Sequence, residues 1–370
     1  RDHAGMATIH ARRIAGTAFL DLELDAPARP GPAFLGAWLV PSRGLMLLQA
    51  RIRLGDGRET ALLAAPPAEE AAAAFDLGPD DIAGSASFGF GAAVLAPYAN
   101  RIRGAHLSSP ERIEARVAGH PVRLPANGGG RAPGAERYAI HGLILATPVS
   151  DLETLADAQC ARVTGRIEAG DFGVGWPSAT TLDIAWELRP EALTLRVTAR
   201  NSGHEALPVG LGWHPYFALP SGRRAQARLH LPAAARLPVH DYDAVLPTGE
   251  VVPVAGTSYD FRVPGGVALG ERFLDDCFVE LDRMAAGEVA CEVLDPAAGH
   301  GVRIISASPR VSAIQTYAPP DRAFVVVEPQ FNWADPYGDI WSTGRDTGMA
   351  LLQPGEAADY TVRLELLTPS

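Results

Sequence analysis

Five ionisable side chains stand in apolar or Gly/Pro-rich surroundings instead of the polar runs that surface residues usually occupy. They are Arg101 in "APYANRIRG", His141 in "YAIHGL", His214 in "GWHPYF", Asp275 in "FLDDCF" and Glu356 in "LLQPGEAADY". An imidazole and a carboxylate can exchange protons with a bound molecule, while a guanidinium offers a planar fork of donors to neighbouring oxygens. Each residue also has a plainer reading. His214 alone reads as a satisfied core histidine, Glu356 after Pro354 and Gly355 as an exposed turn residue, and Arg101 as a loop brace.

The chemistry open to these groups is narrowed by what the sequence lacks. All 32 basic residues are arginine, so lysine Schiff bases and P-loop lysines are excluded. There is no G-x-S-x-G, H-E-x-x-H, Walker A or dinucleotide fingerprint, and no two histidines stand at metal-ligand spacing. Cofactor-free and metal-free acid/base chemistry, or plain ligand binding, remains. A net charge of -11 opposes non-specific binding to nucleic acid or an anionic membrane, which leaves a small molecule as the expected partner. The three cysteines, Cys160, Cys277 and Cys291, are odd in number and widely spaced. They suggest no disulfide framework and point to a reducing, cytoplasmic setting. No run reaches the ~18 to 20 apolar residues of a membrane span, and "RDHAGMATIH" lacks the apolar core of a signal peptide.

The elements that must position the five residues read as β. "TLDIAWELRPEALTLRVTARNSG" predicts strands over 181–189 and 193–200 joined by a turn at Pro190 and Glu191. Further strands are expected in "VACEVLD", "GVRIISASP", "AIQTYAP", "AFVVVEP" and "DYTVRLELL". The 38 glycines and 31 prolines punctuate these runs at short intervals, as an all-β chain requires. One helix is expected in "PAEEAAAAFDL", residues 67–77, with its acidic residues in the first turn. The Gly-rich stretch 125–138 reads as a covering loop, and no linker divides the chain. Residues 1–370 are therefore read as one domain of stacked sheets.

Five short motifs, "YANRI", "IHG", "HPYFAL", "VVVEPQ" and "LLQPGE", occur in the order and approximate spacing of the aldose 1-epimerases, or mutarotases. Residues 35–366 resemble this family, which implies a galactose mutarotase-like β-supersandwich of largely antiparallel sheets with few short helices. Carried over by position, the resemblance implies His214 as the acid that protonates the ring oxygen. It implies Glu356 as the base at the anomeric hydroxyl, with Arg101, His141 and Asp275 binding sugar oxygens. The sequence continues "HGLIL" after His141, where many members have a second glycine. Asp276 stands beside Asp275, and strand alternation turns only one of them towards a given face.

Interconverting sugar anomers requires a proton removed from the C1 hydroxyl and another given to the ring oxygen. The ring opens, C1 rotates, and closure occurs on the other face. No electrons are transferred, so no cofactor is implied, and each positioned group contributes about 10²- to 10⁴-fold. The carboxylate is expected to raise the histidine pKa against the desolvating pull of its aromatic neighbours. Trp333 and Tyr337 in "FNWADPYGDIW" are candidates for a wall of the cleft, since sugar C–H faces stack on such rings. Arg103 reads as a brace, or as a contact for an anionic substrate. Two alternatives stay open: an epimerase of hexose 6-phosphates, and a sugar-binding protein without the chemistry.

Overall fold

The computed structural model describes residues 5–370. Alternation of buried and half-exposed residues is regular along the hairpin predicted from sequence, now bounded as Thr180–Arg189 and Ala192–Asn201. Strands of this kind assemble into one twelve-stranded and one nine-stranded sheet with three small sheets beside them, and every described ladder is antiparallel. The chain before residue 180, where fewer strands were read, is also largely β. The helix expected at 67–77 forms over Ala68–Phe75, with Glu69 and Glu70 in its first turn and Ala71 and Ala72 buried.

The two large sheets press their apolar faces together. Trp186 of the nine-stranded sheet packs edge-on against Trp213 of the twelve-stranded sheet at 5.8 Å, and its indole N–H donates to the Leu45 carbonyl at 2.8 Å. Around them lie Phe34, Leu182, Val197 and Phe217, all essentially without solvent exposure. Burial on this scale is the main favourable term in folding, at roughly 25 cal/mol per Å² of apolar surface. Because side chains alternate along a strand, Trp213 in this core sends His214 to the opposite face of the sheet. That opposite face carries the polar site.

Candidate active site

Four adjacent strands of the twelve-stranded sheet build the floor of the site: Gly212–Ala218, Phe324–Gln330, Ala313–Ala318 and Leu274–Leu281. The first two pair Gly212 with Gln330 and Tyr216 with Val326, a register that sets His214 opposite Glu328. Glu328 in turn pairs with Gln315, and Gln315 with Cys277. Directly opposed residues in antiparallel strands share a face, so one cross-strand row presents His214, Glu328, Gln315 and Cys277 together. On the outer side of His214 the row ends at Ala93, whose methyl group is small.

Two loops bring the remaining groups over this row. The strand Ala92–Leu95 runs into a turn in which Asn100 adopts a left-handed φ of 59°, and the Asn332 side chain clamps the turn through both backbone groups of Ala99. Arg101 emerges from that turn. His141 also has a left-handed φ, 65°, and the next residue must be glycine: a Cβ at Gly142 would lie 2.4 Å from the Ala96 carbonyl oxygen. Leu143 donates its N–H to that same carbonyl at 2.7 Å and closes the loop.

The result is a cleft of about 450 Å³ lined by Arg101, His141, His214, Asp275, Gln315 and Glu328. Nε2 of His214 lies 3.8 Å from a Glu328 carboxylate oxygen, and the two imidazole rings meet edge-on at 4.7 Å. Phe88 covers them, 4.5 Å from His141 and 6.2 Å from His214. Asp275 accepts a hydrogen bond from Gln315 Nε2 at 2.8 Å and lies 3.8 Å from the Arg101 guanidinium. The same Gln315 accepts from Asn100 Nδ2 at 2.9 Å, and Arg101 Nε donates to the Tyr138 hydroxyl at 3.2 Å. A chain of side chains thus ties the Arg101 turn to the sheet floor.

Burial dominates the electrostatics. Desolvation pushes His214 down to about 4, with the nearby Arg101 charge acting in the same direction. The expectation that a carboxylate would raise this pKa is therefore corrected: the shift is downward, and removal from water is its largest cause. His141 is pushed well below the ordinary histidine value by burial, by His214 and by Arg101. Glu328, only 1% exposed, is raised well above the carboxylate range by burial and by Asp275, with Arg101 opposing. Asp275 is raised to about 6 by burial, against Arg101 and Gln315. Neutral imidazoles beside a carboxyl group that retains its proton minimise buried charge.

Several polar atoms here have no protein partner. Nδ1 of both histidines and Oε1 of Glu328 are buried and unpaired. Buried polar atoms without protein partners at one cleft leave hydrogen-bonding capacity that a polar ligand or water can fill. His141, His214 and Glu328 also place donor atoms within 4.8 Å of one another, a set chemically able to hold a divalent ion, although the Arg101 charge opposes a cation there.

Four of the five residues singled out from sequence, Arg101, His141, His214 and Asp275, come together in this cleft. Glu356 does not. It sits exposed in the turn before the last strand, where its carboxylate accepts from the Gln353 N–H at 3.0 Å and its own N–H donates to the Gln353 carbonyl at 2.9 Å. The carboxylate expected from sequence to act as base therefore lies outside the cleft that holds His214. Glu328 is the buried carboxylate beside His214. Its signal was present in "AFVVVEP", where one charge interrupts a strand buried along its whole length, a setting in which Glu is rare. Asp276 turns away from Asp275 and accepts from the Tyr242 hydroxyl. Trp333 is buried against Trp341, and Tyr337 and Arg103 line a neighbouring groove, so none of the three walls the cleft. Arg103 is braced by Glu136 at 2.8 Å.

Stacked antiparallel sheets of the β-supersandwich kind thus carry a buried imidazole–carboxyl pair at the floor of a polar cleft. Comparison with known proteins narrows this class. A family model described as aldose 1-epimerase matches residues 74–365, and the chain belongs to that family. Human galactose mutarotase is 34% identical over 104 residues, 27% of this chain and 29% of that protein. The chain matches under a third of the length of its curated relatives. A galactose mutarotase-like protein from Clostridium acetobutylicum has the same fold, with a TM-score of 0.73, 18% identity and coverage of 98% of this chain and 99% of that one. Galactose 1-epimerase from Lactobacillus acidophilus NCFM aligns at a TM-score of 0.66, 20% identity and coverage of 98% and 99%. The fold is galactose mutarotase-like.

Proposed function

We propose that this protein is a cofactor-independent aldose 1-epimerase that interconverts the α and β anomers of a free hexose, with Glu328 and His214 as the proton-transfer pair. The observation that carries the reading is the opposition of these two buried groups at 3.8 Å, close enough to serve two oxygens bonded to one carbon. Glu328 takes the proton of the C1 hydroxyl while His214 donates to the ring oxygen. Opening therefore begins with the carboxylate and imidazolium and ends with the carboxylic acid and neutral imidazole.

The two groups share one proton throughout and titrate as a coupled pair. In the empty cleft, desolvation leaves that proton on Glu328, which is the state reached after ring opening. Hydroxyl groups of a bound sugar supply hydrogen bonds that favour the ionised arrangement. Arg101, His141 and Asp275 bind sugar oxygens and orient the ring. Strands from both halves of the chain enter each large sheet, which supports reading residues 1–370 as one domain. Three buried free cysteines support a reducing, cytoplasmic setting, and no described helix is long and apolar enough to cross a membrane.

The test is polarimetry on freshly dissolved α-glucose and α-galactose. The protein should accelerate the drift of optical rotation before and after dialysis against a chelator, and His214→Asn should remove about 10²-fold or more of that acceleration. A wild-type protein that accelerates none of these sugars would sink the epimerase reading. A fully active His214→Asn would sink the assignment of the acid. Arg131, exposed at the cleft mouth, favours a hexose 6-phosphate as the second reading, and the same assay with glucose 6-phosphate decides it.

A further inference from the structure

Arg101 reaches the cleft from a strand of only two residues, Arg101–Ile102, which by its length alone holds a side chain loosely. One edge of the strand is paired, with Arg101 opposite Ile140 and Ile102 opposite Ala139. Successive residues direct their backbone groups to alternate edges, so the Arg101 carbonyl and the Arg103 N–H share the other edge, which ends its sheet. Asp335 fills that edge. Its own N–H donates to the Arg101 carbonyl at 2.8 Å, and its carboxylate Oδ1 accepts from the Arg103 N–H at 3.1 Å. One residue thus copies the pairing of a missing strand.

The copy is made at a cost. Asp335 has a left-handed φ of 50°, and a Cβ at Gly338 would lie 2.0 Å from its Oδ2. It is 1% exposed, and Oδ2 has no partner. Burial raises its pKa to about 6 against the N–H and charge of Arg103, with Glu136 and Asp339 adding to the rise. The Trp341 indole N–H and the Gly338 N–H both donate to its carbonyl, at 2.7 and 3.0 Å, so the following loop is wound around this one residue. Asn332 holds the chain before Arg101, at Ala99, and Asp335 holds it after. Both belong to the segment that leaves the strand of Glu328, Phe324–Gln330.

Resting on the epimerase reading, we infer that Asp335 is a positioning residue for the reaction: through the backbone on the open edge of its strand, it fixes Arg101 at the angle at which the guanidinium meets the sugar. Asp335 touches no substrate, since it lines the neighbouring groove and not the cleft. Its effect passes through Arg101, whose Nε donates to the Tyr138 hydroxyl and whose charge lies 3.8 Å from Asp275. A hydrogen bond weakens steeply with misalignment, so a small tilt of this strand is felt at the sugar oxygens.

Anomer exchange is measured at about pH 8, where a carboxyl raised to about 6 is ionised, on the better of glucose and galactose. Asp335→Gly deletes the carboxyl at a position where glycine adopts the left-handed φ freely, and it should raise KM at least about fivefold with kcat within about twofold. Asp335→Asn keeps the oxygen acceptor and tolerates the same φ, so its KM should stay within about twofold of wild type. An unmoved KM in Asp335→Gly, a loss confined to kcat, or Asp335→Asn as impaired as Asp335→Gly overturns the assignment. Should Asp335→Gly not fold, Trp341→Phe takes its place by removing the indole donor to the Asp335 carbonyl. KM should then rise about threefold, and an unchanged KM overturns the assignment.

A second readout needs no turnover. In protein carrying isotope-labelled arginine, the Arg101 Nε–H resonance, identified by its loss in Arg101→Leu, reports the bond to Tyr138. Its hydrogen exchange should be at least about tenfold faster in Asp335→Gly and unchanged in Asp335→Asn. Equal exchange in wild type and both variants overturns the positioning role. If wild type exchanges no sugar, the epimerase reading fails, and this measurement alone decides whether Asp335 holds Arg101.

Discussion

Glu328 and Glu356 are two glutamates of one chain in opposite physical situations. Glu328 projects from a central strand, is 1% exposed, has one carboxylate oxygen without a partner and faces an imidazole. Glu356 lies in an exposed turn whose Gly355 has a left-handed φ of 84°, and its carboxylate is satisfied by the Gln353 backbone. A carboxyl group that has lost its water and found no full replacement has reactivity in reserve. One that closes a turn in solvent does not. The difference teaches that a conspicuous motif can mark a local shape of chain, while chemistry follows desolvation and an unfilled hydrogen-bonding valence.

Neutralising each side chain in turn is the most direct way to break this comparison. Glu328→Gln should lower kcat for anomer exchange by about 10²- to 10⁴-fold, whereas Glu356→Gln should leave it within about twofold. Equal losses in the two variants would restore the turn glutamate as a participant. Next in size is the pH profile. The productive pair holds one proton, so activity should fall as pH drops through the region near 4, where His214 takes up a second proton and no base remains. At the alkaline end activity should fall when the proton leaves Glu328, above the usual carboxylate range because burial raises that pKa. A rate that is unchanged through the acid region would contradict a neutral, buried His214.

The smallest of these effects concerns the residue that links the floor to the loops. Gln315 donates to Asp275 and accepts from Asn100, so Gln315→Leu removes both ties at nearly constant volume. KM should rise about tenfold with a lesser change in kcat, since the roles proposed for Asp275 and Arg101 are to bind sugar and not to transfer its proton. Steady-state kinetics on the better of glucose and galactose would show the split. A pure loss of kcat would instead place Gln315 in the proton-transfer step.

Much of the β scaffold was legible because it rests on local alternation. The hairpin around Pro190 and the helix at Ala68–Phe75 follow from period and punctuation, which neighbours in space only reinforce. Four cleft residues were legible because an ionisable side chain in an apolar run is unusual wherever the chain goes. Glu328 carried the same signal inside "VVVEP", yet the Pro-Gly setting of Glu356 drew attention to a turn. Trp333 and Tyr337 show the converse: their sequence says aromatic, but only packing decides whether a ring faces a ligand, another ring or a different groove.

The sequence by itself determined the residue types available for chemistry, the absence of lysine, and the strand periods that send Trp213 and His214 to opposite faces of a sheet. These are properties of one residue or of near neighbours. Tertiary structure decided which carboxyl group meets His214, because strand register brings residues 214 and 328 opposite each other across more than a hundred residues of intervening chain. It also decided the direction of the His214 pKa, since desolvation and the nearness of Arg101 are sums over surroundings that no local segment contains. Burial is a property of the assembled sheets, and in this cleft burial is what moves the His214 and Glu328 pKa values apart.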